Sequence, residues 1–248
     1  MAGVARGLRL ASDFLLPPLC ISCREPVHAH GGLCARCWAD IDFIVKPCCD
    51  RLGIPLAYPS GGRIVSAAAL ADPPVYDRAR AVAQYNGSMR SLIHGLKYGD
   101  RHEGIKLMSR WMVPAGGGVL GDTGISVPVP LARTRLWGRR FNQAALLAQA
   151  IAHQRGIACN PIALLRTRRT ESQVGLSASQ RRKNVAGAFM VPEREHKAVS
   201  GKNILLVDDV ITTGATANAC ARTLKRAGAV HVDVLALARV VDPLTPTL

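Results

Sequence analysis

The sequence predicts an α/β protein: a mostly parallel sheet flanked by helices, with a small cysteine-rich module in front of it. Three observations carry that expectation. From about Arg78 onward, strand-like and helix-like segments alternate, the pattern of a parallel sheet covered on both faces. Six of the eight cysteines fall within the first 49 residues. Residues 203–228 read as an apolar run, an acid pair, a threonine-glycine loop and an alanine-rich helix in direct succession.

Residues 1–17 form an N-terminal extension whose short apolar stretches are broken by Asp13 and by Pro17-Pro18. They lack the long apolar centre of a secretory signal. No stretch of the chain approaches the ~20 apolar residues that a membrane-spanning helix needs. A cytoplasmic location without membrane insertion is the expectation, and in a reducing compartment clustered cysteines read as metal ligands sooner than as disulfides.

The module covers residues 18–58. Cys20-x-x-Cys23 is followed, after ten intervening residues, by Cys34-x-x-Cys37. Two such knuckles bring four thiolates to a tetrahedron, the geometry of a structural Zn²⁺. With four sulfurs the site is closed, so it stabilises the module and offers no open position for catalysis. Two unlinked thiol or redox pairs are the other reading. His28 and His30, between the knuckles, read as surface residues. Residues 59–77 contain Gly/Pro stretches and read as a linker.

The α/β region spans residues 78–242, and 243–248 form a tail. Within it, 78–87 reads as a strand ending at Asn86-Gly87. Residues 88–99 carry Met89, Leu92, Ile93 and Leu96 at helical spacing. The run 125–131 is a strand with two prolines, which places its end at a loop or edge. Residues 141–156 and 215–228 are helices, each closed by glycine. Residues 203–207 are a buried strand, and 229–241 a last one. Cys159 and Cys220 lie in apolar contexts and read as core.

The loop Thr212, Thr213, Gly214, Ala215, Thr216 joins the 203–207 strand to a helix. Small residues let successive backbone N–H groups turn to one point, and a helix N-terminus adds partial positive charge. Three hydroxyls add donors. That is a cradle for a monophosphate. It has neither the lysine of a P-loop nor the glycine spacing of a dinucleotide turn. Asp208 and Asp209 would repel phosphate, so they address something uncharged beside it, such as vicinal sugar hydroxyls, directly or with Mg²⁺ nearby. The plainer alternative is a capped helix start with acids facing its dipole.

The string VDDVITTGAT resembles the 5-phosphoribosyl 1-pyrophosphate (PRPP) motif of type I phosphoribosyltransferases. By that resemblance Asp208 and Asp209 hold the ribose 2- and 3-hydroxyls, and residues 212–216 hold the 5-phosphate. PVPLARTRLWGRRFNQAALLA (128–148), ESQVGLSASQRRKNVAGAF (171–189) and LIHGLKYGD (92–100) are similar to segments of ComF-family proteins. The resemblance runs from the cysteine module to residue 241. It implies a type I phosphoribosyltransferase fold with an N-terminal zinc ribbon, Mg²⁺-PRPP as ligand, and a link to natural competence. Lys97, His94 and Tyr98 lie near the site by analogy only; a surface helix is the other account of them. ComF proteins often carry a second cysteine pair, of which only Cys49 fits here, since Leu52 takes the other place. One zinc is expected, with Cys48 and Cys49 degenerate or packed as small apolar residues.

The formal net charge is +15. Between Arg133 and Lys183 there are eleven Lys and Arg against one acid, Glu171. Arg133, Arg135, Arg139 and Arg140 follow the proline-bearing strand and would meet the pyrophosphate, because guanidinium groups bind phosphate bidentately. Arg166, Arg168 and Arg169 face the same ligand or a nucleic-acid backbone. Two functions fit. One is transfer of a phosphoribosyl group to an unread acceptor. The other is a non-catalytic adaptor of the same fold that binds single-stranded DNA, for which Trp38, Trp111, Trp137 and Phe141 are the few stacking surfaces. A homodimer is compatible with either.

Overall fold

The computed structural model describes residues 17–57, 62–98, 102–131, 141–168 and 178–241. Its nine helices and seven strands, among the described residues, are α1 (Ala35–Ala39), α2 (Ala67–Ala71), β1 (Ala79–Gln84), α3 (Gly87–Tyr98), α4 (Ile105–Ala115), α5 (Gly117–Leu120), β2 (Ile125–Pro128), α6 (Gln143–Arg155), β3 (Ala158–Cys159), β4 (Leu165–Arg166), α7 (Ala178–Val185), β5 (Phe189–Met190), α8 (His196–Val199), β6 (Asn203–Ile211), α9 (Ala215–Arg226) and β7 (His231–Arg239).

Five strands form one sheet in the order β1-β7-β6-β2-β3, and every pairing in it is parallel. β4 and β5 form a separate antiparallel pair. The predicted parallel sheet is therefore present. Its central strands are apolar on both sides, as a sheet covered on both faces requires. Ile204 and Leu206 of β6 pack with Cys220 and Leu224 of α9. Leu205 and Val207 point the other way, into a core with Leu92, Ile93 and Leu96 of α3, Met108 and Met112 of α4, and Leu147 and Ile151 of α6. The α6 helix begins where Asn142 caps it, its Oδ1 accepting from Ala144 N–H at 3.1 Å, and ends at Gly156 in the left-handed region.

β6 is longer than the 203–207 segment read from the sequence. Its ladder to β7 runs to Ile211↔Arg239, so the acid pair stands on the strand and not in the loop. Neutral or charged, a carboxyl group leaves the backbone free to pair, and apolar content alone understates such a strand.

The cysteine module docks on the outer edge of β1. Ile44 N–H donates to Val82 O, Gln84 N–H to Asp42 O, and Ala79 N–H to Arg51 O, each at 2.8 to 2.9 Å. The edge strand is thereby paired and not left open. Gly53 lies so close to β1 that a Cβ there would collide with the Ala79 carbonyl, and its φ is +66°. The contact demands glycine at this turn. Residues between the module and β1 also pack inward. Ser66 caps α2, and Tyr76 is fully buried in the core beneath α9.

Candidate functional site

The carboxyl ends of β6 and β2 open into a cavity of about 790 Å³. In parallel α/β sheets that edge is where ligands bind. Asp208, Asp209, Thr212, Gly214 and Thr216 line it. Thr213 is exposed on the loop and Ala215 is buried as the first residue of α9. Gly214 has φ +76° and precedes α9 without any side-chain cap, and the first turn of α9 carries no acid. The helix start is thus not the capped, acid-compensated one that the sequence allowed. Gly214, Thr216 and Ala217, at and just inside the helix start, line the cavity.

Side chains alternate along a strand, and this separates the neighbouring acids. Asp208 continues the row of Ile204 and Leu206; Asp209 continues that of Leu205 and Val207, facing α3. There Lys97 Nζ lies 3.0 Å from Asp209 Oδ2, with both side chains mostly buried. Asp208 Oδ1 accepts from Asp209 N–H at 2.8 Å. Enclosure by protein, with the Asp209 charge beside it, pushes the Asp208 carboxyl up to about 8; the Asp209 N–H, Lys97 and Arg166 pull the other way and do not prevail. Asp208 is thus the member of the pair held toward its neutral form, while Asp209 is paired with Lys97.

Basic side chains line the cavity beside the pair. Arg90 and Lys97, with His94, come from α3, Arg166 from β4 and Arg181 from α7. Arg166 lies 5.5 Å over the Phe189 ring, which holds its guanidinium at the cavity wall. Arg168 donates to Asn184 O at 2.9 Å, tying the end of β4 to α7. Arg133, Arg135, Arg139, Arg140 and Arg169 lie outside the described residues, as does Trp137. Asn142, besides capping α6, donates through Nδ2 to Val129 O at 3.0 Å and so fixes the end of β2. Arg90, Arg181, Asn142 and Gln143 were not singled out from the sequence. The Arg90 and Arg181 signals were drowned in a generally basic chain.

In the module, Cys20, Cys23, Cys34 and Cys37 place their sulfurs within 4.8 Å of one another. Cys23 and Cys34 are 3.6 Å apart, against the roughly 3.8 Å edge of a tetrahedron with Zn–S bonds of about 2.3 Å. Cys34 N–H points at Cys20 Sγ and Cys37 N–H at Cys34 Sγ, both at 3.4 Å. Such N–H donors suit thiolates. The donor set fits Zn²⁺. Cys49 sits apart and fully buried, with Leu52 N–H, Ser66 N–H and Ser66 Oγ on its sulfur at 3.2 to 3.4 Å. Ser66 and the Leu52 backbone stand where a second knuckle would turn. His28 and His30 are exposed, and Cys220 is core, while Cys159 is only half-buried.

The fold is that of a phosphoribosyltransferase domain that carries a zinc ribbon at its front. A family model described as phosphoribosyl transferase domain matches residues 142–244, and one described as double zinc ribbon domain matches residues 11–69. The chain is 35% identical to DNA utilization protein YhgH of Salmonella typhimurium, over 90% of this chain and 98% of that one. It is 30% identical to competence protein F of Haemophilus influenzae, over 89% and 96%. It is 27% identical to competence protein ComFC of Bacillus subtilis, over 87% and 82%. The chain belongs to the ComF family.

Among the described residues no helix is long and apolar enough to cross a membrane.

Proposed function

We propose that the cavity binds Mg²⁺-PRPP and transfers its phosphoribosyl group to an acceptor, with release of pyrophosphate. One observation carries this reading: a helix start without a side-chain cap, behind Thr212 and Gly214, and the Asp208–Asp209 carboxyl pair open onto the same cavity. The 5-phosphate sits on residues 212–216 and the ribose hydroxyls on Asp208 and Asp209. Mg²⁺ enters as part of the substrate. Arg90, Arg166 and Arg181, with Arg133, Arg135, Arg139 and Arg140, take the pyrophosphate. As the C1–O bond to pyrophosphate breaks, negative charge grows on the leaving group, and fixed guanidinium groups stabilise it. The protein positions and neutralises; no general base is assigned. The test is calorimetry with Mg²⁺-PRPP, followed by pyrophosphate release with a panel of bases, ammonia and amines. Saturable binding lost in the Asp208→Asn/Asp209→Asn double variant is expected. No binding and no release with any acceptor overturns the reading.

A second reading rests on a different surface. Trp38, half exposed on α1, contacts Phe43 and Trp111 with ring centroids 5.2 and 5.5 Å away. With a net charge of +15, this aromatic cluster suits single-stranded DNA, whose bases stack on such rings. The names of the relatives from Salmonella and Haemophilus point the same way. Binding that weakens steeply with salt supports it; binding that ignores salt, or none, removes it.

A further inference from the structure

Lys97 and Asp209 lie 112 residues apart in sequence, and both face the cavity. The acceptor oxygen that the phosphoribosyl reading gives to a ribose hydroxyl is already engaged by the Lys97 ammonium at 3.0 Å. A sugar cannot use that oxygen fully while the ion pair stands. Lysine is suited to leaving: its ammonium is a compact charge on a flexible four-carbon stem, with three donors of free direction. The cavity it faces also holds Arg90, Arg166 and Arg181, the cationic wall assigned to pyrophosphate. A strongly negative pyrophosphate in that wall competes with one carboxylate for one ammonium.

We propose that Lys97 is an exchangeable counter-ion that couples the two ends of the site. In the free protein it neutralises Asp209. When pyrophosphate, or the pyrophosphate arm of a ligand, arrives, the ammonium moves to it and releases Asp209 to accept from the ribose hydroxyl. Lys97 is thereby a positioning residue that makes the carboxylate available only to a ligand carrying both a sugar and a pyrophosphate. This rests on the phosphoribosyl reading and adds to it a coupling that bare complementarity would not produce. Two anions bound side by side otherwise oppose each other.

The experiment separates the two ligand halves. The affinity of ribose 5-phosphate is measured by calorimetry with and without saturating pyrophosphate, at constant free Mg²⁺. In the wild-type chain pyrophosphate is expected to tighten ribose 5-phosphate binding about tenfold, and reciprocally, a coupling within the usual allosteric range. In Lys97→Met, of similar length and no charge, the enhancement disappears or reverses, while Lys97→Arg keeps part of it. A purely structural role for Lys97 would weaken both ligands without creating or removing coupling. Should Lys97→Met fail to fold by circular dichroism, Asp209→Asn removes the other half of the pair and must abolish the coupling equally. Independent or antagonistic binding in the wild type, or coupling that survives in the folded variants, overturns the proposal. Failure of both halves to bind the wild-type protein at all overturns the phosphoribosyl reading beneath it, a distinct result.

Discussion

The Tyr76 hydroxyl stands 3.5 Å from the point where a Cβ on Gly214 would lie. Tyr76 is buried beside the loop at Gly214, and its neighbour Val75 is tied to α9 through Asn218 Oδ1 at 2.7 Å. The distance is ordinary van der Waals contact, so a methyl group at 214 finds room. What it does not find is a relaxed backbone, because φ is +76°. Gly214→Ala is therefore expected to cost about 1–2 kcal/mol, the penalty of the left-handed region for a residue with a Cβ. The loop would relax by turning its N–H groups from the cavity. Chemical denaturation measures the stability loss, and calorimetry with Mg²⁺-PRPP measures a larger loss of binding than the stability loss alone would give.

The carboxyl of Asp208 yields a prediction in pH. Its pKa in the folded chain is raised to about 8 by enclosure and by Asp209, while in the unfolded chain it is near 3.9. Between those values the folded state holds a proton that the unfolded state has lost. The contribution to stability is thus fully present below about pH 4 and is lost as pH rises through about 8. Asp208→Asn removes this dependence by fixing a neutral group. The melting temperature of Asp208→Asn relative to wild type is expected to climb from pH 5 to pH 8 (roughly the interval between the two pKa values), while ligand binding is weakened throughout. A difference that does not change with pH would show that Asp208 ionises freely.

The same two acids illustrate what the sequence could and could not convey. The parallel sheet, the helices around Leu92 and Leu147, the loop at Gly214 and the Cys20–Cys37 cluster are local patterns with fixed periods or spacings. They were legible for that reason. The end of β6 was not, since two carboxyl groups and a threonine loop look like the close of a strand although the ladder continues to Ile211. Nor was the partner of Asp209, because Lys97 stands 112 residues earlier and arrives through tertiary packing, and at its own position it resembled any lysine on an amphipathic surface. Arg166 sits on a strand of two residues, too short to show alternation. Adjacent acids that should repel become intelligible only once the strand sets them on opposite faces and Lys97 pairs with one of them.

Asn142 joins two tasks in one side chain, and two substitutions separate them. Asn142→Ala removes both the cap of α6 and the bond to Val129 O, at an expected cost of about 1–2 kcal/mol. Asn142→Asp keeps an acceptor for Ala144 N–H but loses the donor to Val129, and it adds a negative charge to a cavity meant for anions. We expect Asn142→Asp to retain most of the stability and to lose more PRPP affinity than Asn142→Ala. Equal affinities in the two variants would mean that a negative charge at position 142 has no bearing on the ligand.

The zinc cluster should report on itself optically. Cys37 lies beside Trp38, and Trp38 leans on Trp111 of α4 at 5.5 Å, across the junction between the module and the α/β region. Because metal binding in such sites is part of the folding free energy, chelation at neutral pH is expected to release one equivalent of zinc and to shift the tryptophan emission to the red as this contact opens. Cys37→Ser should lower the melting temperature and abolish the chelator response. Intact fluorescence after zinc removal would show that the module holds together through its docking on β1 alone.

The aromatic cluster provides the sharpest test of nucleic-acid binding, because stacking and charge leave different signatures. If bases stack on Trp38, Trp38→Ala costs about 1–3 kcal/mol of single-stranded DNA affinity, the usual worth of one stacked base, with an unchanged dependence on salt. Exposed cations beside it contribute in the opposite manner. Arg36 is exposed and pairs with Glu25 at 2.8 Å, and its replacement should lower the salt slope with a small effect at high salt. For some four phosphate contacts the affinity should fall about 50-fold between roughly 50 and 200 mM salt. The cluster lies on the zinc module and α4, away from the residues assigned to PRPP, so Trp38→Ala should leave Mg²⁺-PRPP binding unchanged. Loss of DNA binding in Asp208→Asn but not in Trp38→Ala would instead place the nucleic acid in the cavity, and the aromatic cluster would then serve only to dock the module.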